Sequence, residues 1–209
     1  LVGSEMCIRD RYTTMLALLA TVVFFSCATH TAQRGKNITT NTVKINSDVV
    51  HSFYLFGDTH GLEKNSNQYQ AIENELKKAP KNSSIFWLGN NAKAEVLGSL
   101  KKATTAKNYI FNGENEWKAG YDSLMIRETS YRKKSIQVLP SKICAIETLE
   151  VNDSLAVLAI DSEWFLEDWS DHPKAAENCP IQTRELFFTE LQNKLNDYQN
   201  RITIIAMHH

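Results

Sequence analysis

The sequence lacks several features that would narrow its function. Charge is nearly balanced over the 209 residues, since 23 Lys and Arg stand against 24 Asp and Glu. This balance gives no electrostatic reason to expect a nucleic acid or an anionic membrane surface as a partner. We find no internal repeat and no low-complexity tract. An apolar run at Met15–Phe25 is too short to span a bilayer. A hydrophobic content of 43% nevertheless allows a full core, and one domain accounts for the length.

The N-terminal region divides into three expected segments. Residues 1–14 include "LVGSEMCIRDR", which resembles translated adapter sequence, so we predict that they are not native. Residues 15–27 have the apolar core of a signal peptide and end in "FFSC", which resembles a bacterial lipoprotein signal that is acylated at Cys27. A plain cleaved signal peptide and a frayed helix are the alternatives. Residues 28–50 are polar, as expected of a tether. We therefore expect an exported protein, anchored by lipid in the outer membrane or held in the periplasm.

Cysteine is scarce, and export changes its meaning. Of four cysteines, Cys7 lies in the predicted leader and Cys27 in the predicted signal. Cys144 and Cys179 remain, and an oxidising compartment would allow a disulfide between them. Two separate buried thiols are the alternative, because the sequence gives no distance between the two residues.

Residues 51–209 alternate apolar strands with amphipathic helices. Five runs predict buried strands: "SFYLFGD", "SSIFWLGN", "NYIFNGE", "SLAVLAID" and "RITIIAMHH". Helical spacing of apolar residues predicts three helices, near Tyr69–Ala79, Val96–Ala103 and Phe187–Tyr198. Pro80 would stop the first helix, and Thr183 would cap the third. This alternation predicts an α/β domain with substantially parallel strands.

Each predicted strand ends in side chains that can bind a metal or a phosphate. These are Asp58, His60, Asn90, Asn91, Glu114, Asn115, Glu116, Asp161, His208 and His209. Ligands of α/β sheets gather outside the carboxyl ends of the strands, so the five loops are predicted to converge on one site. Taken singly, each residue is also explained as a turn residue or a helix cap. Their common position favours a site.

The strand-end motifs resemble those of the calcineurin-like metallophosphoesterases, the superfamily that includes the purple acid phosphatases. "GDTHG" matches the D-x-H-G motif, "WLGNN" stands where the family has G-D-N, "NGENEW" where it has G-N-H-D/E, and "MHH" where it has H-H-P. "SIQVLPSKIC" and "DSEWFLEDW" are similar to an exported Bacteroidetes branch. The resemblance covers Ser52–His209 and implies an αββα sandwich with mixed sheets. We expect it to be incomplete at the C-terminus, because the family's later G-H-x-H loop does not follow.

The resemblance implies hydrolysis of phosphate esters by two divalent ions, which would be iron, zinc or manganese. Asp58 and His60 would ligate one ion, with Asp58 also reaching towards the other. His208 would ligate the second ion, and Asn90 occupies the position of a bridging ligand. His209 would support the loop or contact the substrate.

Three residues depart from the family pattern. Asn90 replaces a carboxylate, and Glu114 replaces an asparagine. Asn115 replaces the histidine that would contact substrate and protonate the leaving oxygen, and an amide cannot give a proton near neutral pH. Glu114 restores the negative charge lost at position 90, so it is a candidate replacement ligand. Retention of one ion, and a non-catalytic surface protein that binds a partner, are the competing hypotheses.

Other polar and aromatic residues have structural explanations. Trp164, Phe165 and Trp169 would wall a pocket or, as we favour, pack in a core. Asp161 would orient a ligand histidine or cap a strand end. The charges of Arg132–Lys134 would form a solvated face, with phosphate steering as the alternative.

Overall fold

Two β-sheets organise the part of the chain that the structure describes. This computed structural model describes residues 49–166 and 179–209. The first sheet has the order β1-β2-β3-β4, and all of its strands run parallel. Its strands are β1 (Ser52–Phe56), β2 (Ser83–Leu88), β3 (Lys107–Phe111) and β4 (Gln137–Val138). β2 is buried along almost its whole length, which explains its large apolar side chains.

The second sheet is mixed. Its strands are β5 (Ile146–Asn152), β6 (Leu155–Ile160) and β7 (Ile202–Ala206). β5 and β6 run antiparallel and are joined by a tight turn, in which Ser154 N donates to Asn152 Oδ1 at 2.9 Å. β6 and β7 run parallel, and Ala159 pairs with Ala206. This register places the chain that follows β6 beside the chain that follows β7.

Six α-helices lie within the described residues. They are α1 (Asn67–Lys78), α2 (Ala94–Lys101), α3 (Glu114–Lys118), α4 (Tyr121–Arg132), α5 (Ser162–Leu166) and α6 (Arg184–Asp197). Side-chain caps begin α1 and α6, since Ser66 Oγ accepts from Tyr69 N and Thr183 Oγ1 accepts from Leu186 N, both at 3.1 Å. None of these six helices is long and apolar enough to cross a membrane.

Strand alternation gives the two sheets a shared core. In β2, Ile85 and Trp87 pack with α1 and α2 on one face, while Phe86 points to the opposite face. Phe86 shares its core with Val157 and Ala206 of the second sheet. The first sheet is therefore covered by helices on one side and by the second sheet on the other.

A further core joins the second sheet to the remaining helices. Trp117, Trp164 and Phe187 bring α3, α5 and α6 into this cluster. Cys144 and Cys179 belong to it as well, and the structure joins them in a disulfide with an S–S distance of 1.98 Å. The bridge spans 35 positions of sequence and links the segment that precedes β5 to the segment that precedes α6.

The structure contains all the elements that the sequence predicts within the described residues. The five predicted strands are β1, β2, β3, β6 and β7, and the three predicted helices are α1, α2 and α6. The α/β class is confirmed, with a parallel four-stranded sheet and a mixed sheet. The expected leader, the signal segment and residues 28–48 of the tether lie outside the described residues, so acylation of Cys27 stays a prediction.

Candidate metal centre at the strand ends

The loops that follow β1 and β2 are joined by two hydrogen bonds. His60 N donates to the Asn90 carbonyl oxygen at 2.7 Å, and Ala92 N donates to Thr59 Oγ1 at 3.0 Å. Thr59 is buried, whereas Asp58 and His60 are exposed. Asp58 has a φ of 49°, a left-handed conformation that the short Asp side chain tolerates. Backbone contacts therefore fix this loop and leave its two predicted ligands at the surface.

Glu116 joins the loops that follow β2 and β3. Its buried carboxylate accepts hydrogen bonds from Asn90 N at 2.9 Å, Asn91 N at 2.9 Å and Gly113 N at 2.8 Å. Arg127 Nη2 of α4 lies 2.9 Å from the same carboxylate and balances its charge. A buried carboxylate is stable only with such partners. Glu116 thus sets the position of both loops.

Asn90 is engaged on all of its polar backbone groups and on its side-chain oxygen. Its Oδ1 accepts from Asn115 N at 3.0 Å. Gly113 allows this approach, because a β-carbon there would lie 2.6 Å from Asn90 N and 3.0 Å from Asn90 Oδ1. The amide oxygen that would bridge two ions is therefore already bonded to the backbone of the neighbouring loop.

His208 is held against the end of β2. Its Nδ1 lies 2.7 Å from the Leu88 carbonyl oxygen. Since a carbonyl only accepts, this partner assigns the proton to Nδ1 and leaves the Nε2 lone pair available in the neutral ring. The approach requires Gly89, because a β-carbon there would lie 2.3 Å from His208 Nδ1. Gly89 also has a φ of 79°, which glycine adopts without strain.

His209 is held by the first turn of α5. Its Nδ1 lies 3.0 Å from Ser162 Oγ, and its backbone N donates to the same oxygen at 3.3 Å. Its Nε2 lies 3.1 Å from Glu163 Oε1. Nε2 is the nitrogen that faces the carboxylate, and the tautomer of the ring sets whether Nδ1 donates to Ser162 Oγ or accepts from it. Either a proton or a cation between Nε2 and Glu163 Oε1 would satisfy both atoms.

Glu163, His208 and His209 together form what we term the ligand cluster. Each offers one ligand atom, and these atoms all lie within 4.8 Å of one another. Ligand atoms of a tetrahedral zinc site, with bonds of about 2.0–2.1 Å, are roughly 3.4 Å apart, so small side-chain rotations would close the set. Glu163 is buried, His208 is partly buried and His209 is exposed, so the cluster opens to solvent.

Asp161 stabilises the helix turn that carries Ser162 and Glu163. It is fully buried and accepts hydrogen bonds from Trp117 Nε1 and Trp164 N at 3.1 Å and from Asn112 Nδ2 at 3.2 Å. Burial raises the pKa of Asp161 to about 6, and these hydrogen bonds oppose the rise. The bond from Trp164 N makes Asp161 the N-cap of α5. Asp161 therefore fixes the first turn of α5, which carries two of the groups around His209.

The other predicted ligands are arranged differently. Within residues 49–166 and 179–209, Asp58 and His60 belong to no group of three His, Cys, Asp or Glu side chains placed to hold one ion. The Glu114 carboxylate accepts a hydrogen bond from Lys118 Nζ at 2.6 Å, and this contact lowers the pKa of Glu114. Glu114 is thus paired with the next turn of its own helix.

Ser162 and Glu163 are two site residues that the sequence pattern does not identify. Both stand in the "DSEWFLEDW" segment, directly after the strand β6. The signal that would have identified them is their place in the first turn after a strand that pairs with β7, the strand leading to His208. Trp169 of the same segment lies outside the described residues.

The aromatic and basic residues singled out in the sequence are structural here. Trp164 and Phe165 contact Phe187, with ring centroids 6.1 Å and 5.4 Å apart. Trp164 is buried, so it belongs to the core. The Arg132 side chain is 72% exposed and pairs with Glu128 of its own helix, which agrees with a solvated face.

Comparisons with known proteins add a distant structural likeness. No protein-family model and no curated protein matches the chain. A protein of unknown function from Aquifex aeolicus, AQ665, superposes with a TM-score of 0.36 at 16% identity, covering 76% of this chain and 79% of that one. A likeness at this level does not assign a function.

Proposed function

We propose that the protein is a metal-dependent hydrolase of phosphate esters, of the calcineurin-like metallophosphoesterase type, with its helices and sheets in αββα order. One observation carries the proposal: hydrogen bonds join the loops that end β1, β2, β3, β6 and β7 at the carboxyl ends of the strands. The polar residues on these loops follow the order of the family motifs. The carboxyl edge of a parallel sheet is also where α/β proteins bind phosphate-bearing ligands.

The predicted ligands fit the metal unevenly. His208 fits, because its Nδ1 is occupied and its Nε2 is available. Asp58 and His60 have no third His, Cys, Asp or Glu ligand within the described residues. Asn90 supplies an amide where two cations need a bridging charge. A bound divalent ion would polarise the phosphoryl group and make a water molecule more acidic. We therefore propose one ion held through His208, rather than two.

Asn115 limits the substrates that this site can turn over. Its amide can donate a hydrogen bond to a phosphate oxygen but cannot deliver a proton to the leaving oxygen. Aryl phosphates, whose leaving oxygen is stable without a proton, should therefore be hydrolysed and alkyl phosphates only slowly.

The test is hydrolysis of p-nitrophenyl phosphate and of an alkyl phosphate after EDTA treatment and addition of Zn²⁺, Mn²⁺ or Fe²⁺. We expect activity on the aryl ester that returns with metal. Asn90→Asp together with Asn115→His should raise turnover of the alkyl ester by about 10²-fold, a modest contribution from general acid catalysis. The matched control, Asn193→Asp with Asn196→His on exposed positions of α6, should change nothing. Aryl phosphate left intact by every version and metal would refute the hydrolase.

A non-catalytic protein that binds a partner through this edge is the second candidate. It is favoured by the hydrogen bond from Asn115 N to Asn90 Oδ1, which engages the position of a bridging ligand. This candidate predicts bound metal with no hydrolysis in either the parent or the doubly substituted protein.

We also propose that the protein is exported and held in the outer membrane through lipid at Cys27. The disulfide between Cys144 and Cys179 supports an oxidising compartment, where such bonds persist. Expressed in a bacterium, the parent should partition into the detergent phase, and Cys27→Ser should move it to the aqueous phase. Cys7→Ser is the matched control. Partitioning that is unchanged by Cys27→Ser would contradict the anchor.

A further inference from the structure

We propose that Glu163, His208 and His209 form a mononuclear zinc site at the ends of β6 and β7. Of these three residues, the motif resemblance gives a ligand role only to His208, and it assigns no role to Glu163 within "DSEWFLEDW". This metal site is independent of the proposed activity, because the three residues would bind zinc whether or not the protein cleaves phosphate esters.

The two imidazoles present the same nitrogen. His208 Nδ1 is occupied by the Leu88 carbonyl oxygen at 2.7 Å, and His209 Nδ1 by Ser162 Oγ at 3.0 Å. Histidines that bind metals usually donate their other N–H to a protein acceptor in this way, which fixes the ring and its tautomer. His208 therefore offers Nε2, and His209 offers Nε2 in the tautomer whose Nδ1 donates to Ser162 Oγ.

The carboxylate completes the set. Glu163 is buried, and its Oε1 lies 3.1 Å from His209 Nε2, close to the separation of roughly 3.4 Å between ligands of a tetrahedral zinc ion. A buried carboxylate beside two imidazoles gains from a divalent cation, because the cation offsets the cost of burying its charge.

Zinc is the ion that these ligands favour. Two imidazole nitrogens and one carboxylate are a ligand set of catalytic zinc sites, in which water or substrate takes the fourth position. Magnesium and manganese prefer sites richer in oxygen, and zinc binds nitrogen ligands more tightly than manganese or iron(II) does. His209 is exposed, so the fourth position would face solvent.

Strand pairing and helix capping position these ligands. The pairing of Ala159 with Ala206 sets the two loops side by side. Asp161 caps the helix that carries Glu163, and Gly89 allows His208 to reach the Leu88 carbonyl. The site is thus built on a parallel strand pair and a capped helix turn, which hold ligands more firmly than free loops do.

The experiment is a titration of the purified full chain, stripped with EDTA, with Zn²⁺ against a chromophoric chelator and with Co²⁺ as a spectroscopic probe. We expect one equivalent of metal and the intense visible bands of tetrahedral Co²⁺. Glu163→Gln and His209→Gln should each weaken binding by more than the roughly 10- to 100-fold that losing a supporting residue costs. Ser162→Ala, which removes such a supporting contact, should weaken it about 10-fold.

Matched controls separate ligand loss from general damage. Glu185→Gln changes an exposed first-turn glutamate of α6, and His51→Gln changes a histidine that precedes β1 at the opposite end of the sheet. Both should bind metal as the parent does. If Glu163→Gln fails to fold by circular dichroism, His209→Gln decides the question, since His209 is exposed.

The possible results distinguish the zinc site from the proposed hydrolase activity. A parent that takes up no zinc, or variants at positions 163 and 209 that bind as tightly as the parent, would overturn the zinc site. Such a result would point instead to an ion pair between Glu163 and protonated His209. Zinc bound through the cluster without aryl phosphate hydrolysis would keep the site and remove the hydrolase. Hydrolysis with zinc affinity unaltered by Glu163→Gln would remove the site and keep the hydrolase.

Discussion

The two halves of the carboxyl edge use similar residues in opposite ways. On the half formed by β1, β2 and β3, polar groups hold loops together: Asn90 bonds through its N, its carbonyl oxygen and its Oδ1, and Glu114 pairs with Lys118. On the half formed by β6 and β7, the histidines bond through Nδ1, and one ligand atom of each lies within 4.8 Å of the other and of a Glu163 oxygen. A strand-end motif alone therefore does not identify a metal ligand. The hydrogen bonds that a side chain already makes determine whether its nitrogen or oxygen atoms are available to a metal.

Glu116→Gln should have the largest effect on stability, because Glu116 joins the loops that follow β2 and β3. The amide nitrogen would face backbone N–H donors, and Arg127 would lose its charge partner. Breaking a buried pair in this way costs about 3–5 kcal/mol in free energy of unfolding. Urea denaturation measures the loss. A change below about 1 kcal/mol would show that the β2 and β3 loops do not depend on this carboxylate.

Removal of the disulfide tests the other half. Cys144→Ser with Cys179→Ser opens a bridge across 35 positions, beside the core that contains Trp164. We expect a loss of about 2–4 kcal/mol in free energy of unfolding, since the unfolded chain regains freedom. Denaturation of the parent with and without reductant gives an independent measure. Equal stability of the oxidised and reduced parent would contradict the expectation.

Gly89→Ala should affect both halves of the edge, because Gly89 follows β2 and contacts His208, which follows β7. The new β-carbon would lie 2.3 Å from His208 Nδ1 and would sit at a φ of 79°. We expect a loss of roughly 1–3 kcal/mol in stability from backbone strain. Displacement of the imidazole should also weaken zinc binding by about 10- to 100-fold. Gly61→Ala is the matched control, because Gly61 has a φ of 80° and nothing within 4 Å of a β-carbon. It should lower stability but spare zinc affinity.

Glu114→Gln should have the smallest effect. The Glu114 side chain is 52% exposed and its partner Lys118 is 65% exposed, and solvent screens such pairs. We expect an unchanged unfolding midpoint and unchanged zinc stoichiometry by elemental analysis. A loss of bound metal in this variant would show that Glu114 is a ligand and that the half formed by β1, β2 and β3 also binds metal.

The sequence predicts β1, β2, β3, β6 and β7 and the helices α1, α2 and α6 because their signals are local. Unbroken apolar runs mark β2 and β6, and Thr183 marks the start of α6. It does not predict α4, whose buried face contains Glu128 among its apolar residues and so breaks the amphipathic pattern. β4 has only two residues, too few for any periodicity.

The candidate site is partly predictable for the same reason. Asp58, His60, His208 and His209 are visible as strand-end residues, but the use of each is not. Glu163 becomes a neighbour of His209 only through the pairing of β6 with β7, whose register no local pattern specifies. Which nitrogen of His208 remains available depends on the Leu88 carbonyl, 120 positions away.

That separation between His208 and Leu88 has a kinetic consequence. We expect a contact across 120 positions to form late, because closing so long a loop costs entropy before the contact contributes any stability. The ligand cluster can exist only once β7 lies beside β6 and the second sheet has packed on the first. Metal uptake should therefore follow the last folding step instead of guiding the first, and the rate at which Co²⁺ bands appear would time the completion of the native structure.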